Sequence, residues 1–421
     1  MAEAAETISF VGETLVERAE LISHSGRAIN ITGLIGTITL FEDIFSPTMS
    51  GTVLIEDALD LVSSLPLLGQ EKIRFKLRTP TLKTAIEKEF YVYKLFNRSA
   101  KKRVQYYVLG FCSDELIISQ NTKVSKAYSG KISDTVAKIF TDEKGLNSSK
   151  RLYVDETKNS YSFISAYWTP IETINWLANR AINKDGVPNY LFFETNQSYE
   201  FTSVDTLIKS NPVRDYVFTD TDANTVYGES GNLEQKYNVV QSIDTHVTFD
   251  YLRNLGSGMY ASRLATFDVT SKTVDITNFD YIDDFNKSQH LEKFPLVTDT
   301  LARRKLASLY FLEKNSYLTG KFEKQNQKDY FLQRNSLLAQ LSAFKLNLVV
   351  SGRTDIKVGS TIKLTLPVFR EIVKGEINTD EAISDYYSGK YIITAIKHQI
   401  TSGQHTMMME VVSDSFIKAL T

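Results

Sequence analysis

Histidines are the first residues to test for chemistry, because the chain contains five of them. His398 and His405 are the one close pair, and they flank a turn predicted at Ser402-Gly403. Two imidazoles across a hairpin could share a metal ion, but neither a cysteine nor a carboxylate pair follows nearby to complete a ligand set. The pattern therefore favours two surface histidines over a metal site.

Carboxylates are the second candidates, since glycoside hydrolysis needs a pair of them. Glu56-Asp57, Glu172 and Asp385 are conceivable members of such a pair. Each also has a simpler role, as a strand end, a helix cap or a loop charge. Cys112 ends a run of β-forming residues and has no histidine close in sequence, so it is expected to be a small buried hydrophobe.

Motifs for phosphate, dinucleotide and zinc chemistry are missing from the sequence. Gly130-Lys131, Gly320-Lys321 and Gly389-Lys390 lack the serine or threonine that follows the lysine of a phosphate-binding loop. No His-Glu-x-x-His motif occurs either. The sequence thus predicts a protein that is not an enzyme, with no catalytic, metal-binding or cofactor-binding residues and no cofactor.

Charge and composition restrict the partners. The 48 basic and 50 acidic residues give a formal net charge of −2, which provides no general attraction for nucleic acid. The sequence contains no run of 18 apolar residues, which argues against a membrane span. The first twelve residues do not have the pattern of a secretion signal. We expect synthesis in a cytoplasm, without sequence-specific nucleic-acid binding.

The first part of the chain, residues 8–125, is predicted to be a β module. Ile73, Phe75 and Leu77 alternate with basic residues after a turn glycine, which is typical of a half-buried strand. Phe90–Phe96 and Val104–Cys112 then resemble the two arms of a hairpin.

An α+β unit is predicted over residues 126–236. Apolar residues from Ile132 to Phe140 have helical spacing. Thr169-Pro170-Ile171-Glu172 is a capping box with proline at the first helical position, and it predicts a helix over 169–184. Tyr190–Glu194 and Tyr199–Thr202 are expected to pair as a short hairpin.

A second β module is predicted from residues 237–275 together with 330–415, interrupted by a helical or irregular segment over 276–329. Thr300–Leu312 and Lys328–Gln340 are expected to be helices. The order of parts repeats that of the first module: a β run, a glycine-led alternating strand, an insertion and a hairpin that ends in Ser-Asp. The residue pattern therefore predicts an α+β, β-dominated chain that carries one module twice.

Several segments also resemble a known family, the central hub proteins of contractile phage tail baseplates, which are related to late-control and spike-hub proteins. The segments are 41–47 leading to Gly51-Thr52-Val53, the strand from Leu68-Gly69 to Ile73, Tyr167-Trp168-Thr169-Pro170, and Val349–Gly352 leading to Val358-Gly359. Each motif is weak alone, and the similarity lies in their order along nearly the whole chain. The long insertion 371–389 and the region 274–326 depart from the family pattern.

The resemblance implies two tube-like antiparallel β-barrel domains with intervening α/β domains. Three chains would then form a hub ring of near-sixfold symmetry in the virion, at the tail baseplate, connecting the hexameric tail tube to the trimeric central spike for DNA ejection. The implied partners are further copies in a homotrimer, the tail tube protein and the spike protein, with wedge and tape measure proteins as further candidates. A cell-wall-degrading or carbohydrate-binding tail protein is the alternative, and a monomeric adhesin-like protein is a third reading.

A partner interface is the predicted role of two groups of residues. One group lies between residues 41 and 46 and the other lies on the alternating strand: Phe41, Glu42, Asp43, Ile44, Phe45 and Ser46, with Arg74, Lys76 and Arg78.

Overall fold

The structure is a computed structural model. It describes residues 8–64, 67–218, 233–247, 249–269, 271–298, 308–313, 327–367, 383–384 and 386–420. Strands predominate over helices among these residues, so the predicted β-dominated α+β class is confirmed.

Seven strands form the first β module. They are β1 Leu15–Ile22, β2 Ala28–Asn30, β3 Ile35–Asp43, β4 Ser50–Asp57, β5 Lys72–Arg78, β6 Ala85–Lys101 and β7 Val104–Cys112, with a 3-10 helix Thr32–Leu34 and helix α1 Leu61–Ser64. They pair in the antiparallel order β2-β1-β5-β6-β7-β4-β3. Ile73, Phe75 and Leu77 of β5 are fully buried, as the alternation predicts.

The middle unit packs helices on small sheets. Its elements are α2 Asp114–Asn121, β8 Val124–Lys131, α3 Ile132–Thr141, β9 Leu152–Val154, β10 Ser160–Trp168, α4 Pro170–Ala178, β11 Tyr190–Glu194, β12 Tyr199–Ser203 and α5 Val204–Lys209. β8 pairs with β10, and β12 lies between β9 and β11. The predicted helix after Ile132 and the predicted hairpin of β11 and β12 are both present.

Helix α4 begins as predicted and ends earlier. Thr169 and Glu172 form both hydrogen bonds of the capping box. The predicted end at residue 184 is wrong because the side chain of Asn159 forms hydrogen bonds with the backbone that follows Ala178. Its side chain accepts from the Ile182 N–H at 3.0 Å and donates to the Arg180 carbonyl oxygen at 2.7 Å. A side chain from another loop thus replaces the helical hydrogen bonds.

The remaining elements form a six-stranded barrel, a three-stranded sheet and a pair of short strands, together with short helices. They are β13 Asp215–Phe218, α6 Leu233–Lys236, β14 Val239–Val247, α7 Tyr251–Gly256, β15 Ala261–Asp268, β16 Thr273–Asp280, α8 Tyr281–Asp284, a 3-10 helix Phe285–Lys287, β17 Phe294–Pro295, β18 Ser308–Glu313, a 3-10 helix Gln327–Asp329, α9 Phe331–Gln340, β19 Lys345–Ser351, β20 Thr361–Thr365, β21 Gly389–Thr401, β22 Gln404–Val412 and β23 Ser415–Phe416. Six of these strands close a barrel in the order β13-β20-β21-β22-β19-β14, with β13 also paired to β14. This closed barrel is the second β module.

Two domain boundaries and one predicted helix differ from the sequence-based expectation. β15 pairs with β16 and β18 in a separate sheet, so residues 261–275 are not part of the barrel. β13, which was predicted to belong to the middle unit, is part of the barrel because it pairs with β20. The predicted helix Thr300–Leu312 is wrong in its described part, where 308–313 is a strand because it pairs in parallel with β15. Helix α9 confirms the prediction for Lys328–Gln340, while residues 371–382 and 385 of the insertion lie outside the described residues.

The same strand order occurs in both modules. The series β5-β6-β7-β4-β3 matches β20-β21-β22-β19-β14, with antiparallel pairing at every step. The irregularity between Val92 and Lys94 of β6 recurs between Ile393 and Ala395 of β21. A second one, one residue after the start of β3, recurs after Val240 of β14. Matched bulges, which locally re-aim a strand, indicate a repeat of geometry as well as of order.

The two modules differ at the sixth strand position. β1 is antiparallel to β5, whereas β13 is parallel to β20 and closes the barrel against β14. In the first module β3 has no such closure among the described strands, and it pairs instead with β21 of the second module. The two modules thereby share one continuous sheet of 13 strands.

Candidate assembly site

The joint between the modules is a pair of antiparallel strands. β3 and β21 are in register over seven residue pairs, beginning with Thr37 opposite Thr401. The hydroxyl oxygens of these two threonines lie 3.0 Å apart. Beyond the last pair, the Ile44 N–H donates to the Thr394 carbonyl oxygen at 2.9 Å. The joint therefore satisfies a strand edge that each module would otherwise expose.

A chain of buried polar side chains crosses this joint. The carboxylate Oε1 of Glu42 on β3 lies 3.0 Å from Nε2 of His398 on β21. His398 Nδ1 lies 3.0 Å from Nε2 of His405 on β22, whose Nδ1 lies 3.3 Å from the hydroxyl of Thr14. The other oxygen of Glu42 accepts the Asn196 N–H at 3.1 Å. All of these side chains are buried, so this hydrogen-bonded series connects both modules and the middle unit in the interior, out of contact with water.

The partners fix one donor in this series. The Glu42 Oε1 accepts a hydrogen bond from His398 Nε2–H, while the other ring nitrogen of His398 shares a hydrogen bond with His405 Nε2, and His405 Nδ1 shares one with the Thr14 hydroxyl. Burial, with a smaller contribution from His398, holds the pKa of His405 well below its usual range.

Acid is therefore expected to weaken the fold through His405. In the unfolded chain this imidazole takes up a proton below about pH 6.5, while the folded chain does not, so stability is present above that pH and lost as the pH falls. We expect a loss of roughly 1 kcal/mol in the free energy of unfolding between about pH 6.5 and 5.5, measured by urea denaturation.

The comparison variant is His405→Asn, in which this acid dependence should decrease. His290 acts with the opposite sign, because its bond to Asp414 raises its pKa even though burial opposes this. A difference between wild type and variant isolates His405. An unchanged pH dependence in the variant would contradict a neutral, buried His405.

Sequence patterns could have indicated this series of buried polar side chains. Glu42 follows Leu40 at the inward phase of the β3 alternation, His398 has the same phase as Ile396 on β21, and His405 leads the inward positions of β22. A polar residue at an apolar phase signals a buried hydrogen-bonded group. The expectation that both histidines lie at the surface is wrong.

A second buried cluster attaches the middle unit to the first module. Glu194 at the end of β11 is fully buried, and its Oε1 lies 2.9 Å from Nζ of Lys88 on β6 and 3.2 Å from Nζ of Lys150. Its Oε2 accepts from the Tyr199 hydroxyl at 3.0 Å and from the Ser113 hydroxyl. Burial alone would raise the pKa of Glu194, but the two lysines and these hydrogen bonds lower it to about 2. The carboxylate is thus charged, and each of its oxygens has ion-pair or hydrogen-bond partners.

The predicted interface residues of the 41–46 segment divide into two groups. Phe41 and Phe45 are 41% and 45% exposed, whereas Glu42 and Ile44 are buried at the joint because β3 alternates its side chains. Asp43 accepts the Phe45 N–H at 2.8 Å, and the Ser46 hydroxyl donates to the Thr48 carbonyl oxygen at 3.0 Å. An outward role for Glu42 and Ile44 is therefore wrong, and for the others it stays a prediction.

Arg74, Lys76 and Arg78 line the outer face of β5 in an ion-pair ladder with β1 and β6. The partners are Glu20 and Glu89 for Arg74, and Glu17 for Lys76 and Arg78. The side chains in these pairs are 23–36% exposed, so solvent screens their charges and each pair contributes little to stability. Their charges are balanced locally, and a partner-binding role for them remains a prediction.

The candidate catalytic residues have structural roles where they are described. Glu172 belongs to the capping box, Asp57 accepts the Leu61 N–H at 2.7 Å, Glu56 is exposed on β4, and Cys112 is buried as predicted. Asp385 lies outside the described residues. No group of three or more His, Cys, Asp or Glu side chains in the described ranges is placed to hold a metal ion.

Among the helices of the described residues, none is both long and apolar enough to cross a membrane.

Two solved structures share this architecture over nearly the whole chain. A tail protein from Neisseria meningitidis MC58 superposes with a TM-score of 0.53 and 10% sequence identity, covering 96% of this chain and 99% of that one. The 43 kDa tail protein of prophage MuSo2 from Shewanella oneidensis gives a TM-score of 0.55 at 9% identity, covering 94% and 98%. No protein-family model and no curated protein sequence matches the chain.

The chain therefore has the fold of tail proteins, one of them encoded by a prophage. The fold that the family resemblance implied is confirmed, although these identities are too low to carry residue roles across.

Proposed function

We propose that this chain is a structural tail protein with no catalytic activity, three copies of which close into a ring at the tail baseplate. The ring connects the hexameric tail tube to the trimeric central spike. The observation that supports this is the strand joint between two modules of equivalent topology within one chain.

The joint uses different edges of the two modules. β3 corresponds to β14, and β21 corresponds to β6, so the joint runs head to tail from one module to the next. Head-to-tail contacts between equivalent units generate rings when the rotation closes. Three chains supply six similar modules, which suits a sixfold tube on one side and a threefold spike on the other.

The parts that occur once per chain suit the threefold contacts. Among the described elements, the middle unit and the sheet of β15, β16 and β18 have no counterpart in the other half of the chain. In the proposed ring they repeat three times, where a spike or other baseplate proteins would bind. The ring would be assembled in the host cytoplasm and carried in the virion.

Mass in solution tests this proposal directly. Light scattering on purified protein is expected to give three times the chain mass of 47.7 kDa, because obligate interfaces commonly bury more than about 2,000 Å² and persist on dilution. Electron microscopy of the same sample should show rings with a central hole. A compact monomer at micromolar concentration would overturn the proposal.

A further inference from the structure

We infer that a pocket between helix α9 and the loop after helix α4 is a binding site for a carboxylate group. Two arginine side chains line it, Arg180 from the loop and Arg334 from the helix. The pocket has a volume of about 560 Å³, which lies within the range of small-molecule sites. It belongs to a single chain, so this inference goes beyond the proposed function and does not depend on a ring.

Helix α9 has two different faces. One packs into the core beneath the β15 sheet through Leu332 and through Ser336, whose hydroxyl donates to the Met259 carbonyl oxygen at 2.6 Å. The helix residues that line the pocket lie three, four and seven positions after the first of them: Phe331, Arg334, Asn335 and Leu338. Because residues at this spacing share one side of a helix, α9 presents a continuous wall to the pocket.

Arg334 carries a buried charge that no carboxylate in the described part of the chain neutralises. The residue is 7% exposed. Its Nη1 donates to the carbonyl oxygens of Pro188 at 3.2 Å and Tyr190 at 2.9 Å. Both partners are neutral, and burial lowers the pKa of Arg334 to about 10, so the guanidinium remains charged at neutral pH. A buried charge is costly unless an opposite charge accompanies it, which indicates that an anion binds beside Arg334.

The other donors of Arg334 suit a carboxylate. Within the described residues, Nε and Nη2 have no hydrogen-bond partner, whereas Nη1 has two. Nε–H and one N–H of Nη2 lie parallel on one edge of a planar guanidinium. That edge matches the two oxygens of a carboxylate, which accept both hydrogen bonds at once. Arg334 can therefore hold its backbone partners and a carboxylate together.

Arg180 approaches the same pocket from the middle unit. Its guanidinium carbon lies 3.7 Å from the centre of the Trp176 ring, and its Nη1 donates to the Trp176 carbonyl oxygen at 3.0 Å. Its Nε is buried and has no hydrogen-bond partner among the described residues. A buried donor without an acceptor indicates a bound water or ion. Two cations that lack a counter-ion in the described chain thus line one pocket.

The remaining walls favour an organic acid over a bare inorganic anion. The amides of Asn179 and Asn335 provide further polar groups, while Tyr330, Phe331 and Leu338 provide apolar surface. Inorganic phosphate has no apolar part to place against these side chains. A carboxylate on a short hydrocarbon chain fits both kinds of wall. Such a group occurs in free organic acids and in the acidic side chains of other proteins.

Calorimetric titration with glutarate tests the site. We expect the wild-type chain to bind glutarate about tenfold more tightly than inorganic phosphate. Arg180→Gln leaves the contacts of Arg334 in place and should weaken glutarate binding about tenfold or more, because a charged hydrogen-bond donor is lost. Arg334→Lys keeps the charge but removes the two-donor edge, and it should weaken binding as well.

Arg151→Gln is the matched control. Arg151 also lies over an aromatic ring of the middle unit, 4.3 Å from the centre of Tyr153, but it does not line the pocket. This variant should bind glutarate as the wild type does, and urea unfolding should show that the three variants are folded.

A blocked peptide with one acidic residue, acetyl-Leu-Glu-Leu-amide, distinguishes the two sources of the carboxylate. Tighter binding of the peptide than of glutarate would support the site and assign it to an acidic side chain of another protein, whereas tighter binding of glutarate would support it and assign it to a free acid. The proposal is wrong if neither probe binds, if phosphate binds as tightly as glutarate, or if Arg151→Gln loses as much affinity as Arg180→Gln.

Discussion

Replacing Glu194 with glutamine is expected to lower the free energy of unfolding by about 3 to 5 kcal/mol. The carboxylate is fully buried, and Lys88 beside it is 7% exposed in its side chain. Without the negative charge, the Lys88 ammonium would remain in the interior with no counter-ion. Lys150 is affected less, because Glu115 also binds it at 2.7 Å.

Urea denaturation followed by tryptophan fluorescence suits this test, because Trp168 and Trp176 lie in the middle unit that Glu194 attaches. The second variant is Lys88→Met combined with Glu194→Gln, which removes both charges and should recover much of the loss. Lys209→Gln breaks the exposed pair with Asp185 and should cost less than about 1 kcal/mol. A Glu194→Gln loss as small as that of Lys209→Gln would show that the buried charge is not critical.

Replacing Gly352 with alanine is expected to cost on the order of 4 kcal/mol, combining overpacking with a broken buried hydrogen bond. An added Cβ would lie 2.1 Å from Cγ of the His405 ring. The backbone cannot retreat easily, since the Gly352 N–H donates to the His405 carbonyl oxygen at 2.8 Å. The ring is held on its other sides by His398 and Thr14.

Gly256→Ala provides the matched control, because an added Cβ there meets nothing within 4 Å. Thermal and urea unfolding of both variants should separate them clearly, with Gly256→Ala close to wild type. In a His405→Ala background the ring is gone, so Gly352→Ala should cost far less than in the wild-type chain. Equal costs in the two backgrounds would mean that the ring is not the obstacle.

Local patterns predicted the elements well where one face of a strand or helix is buried. The alternation of Ile73, Phe75 and Leu77 and the capping box of Thr169 depend on neighbours in sequence, so the sequence contains their full signal. The order of parts also predicted the repeated module. The end of helix α4 was not predictable in this way, because it depends on Asn159, which approaches from another loop.

Most features that the sequence did not predict depend on pairing between residues that are far apart along the chain. The strand 308–313 was predicted to be helical and forms by pairing with β15. Glu42, His398 and His405 are polar residues that sequence reasoning places at the surface, and their burial depends on two modules meeting. The candidate site could be predicted as a region near 41–46, and the phase of each polar residue in its strand signals burial. Which of these residues meet could not be predicted, since the partner strand lies near the other end of the chain.

The separation of β3 and β21 along the sequence also determines when their joint can form during synthesis on the ribosome. The residues of β3 leave the ribosome about 350 residues ahead of those of β21 that cover them, a delay of roughly 20 to 70 s at ordinary rates of synthesis. During that interval the nascent first module presents a bare edge to neighbouring chains on the same message. Slow translation of the final hairpin would therefore favour entangled dimers, in which β3 is completed by the wrong copy's β21.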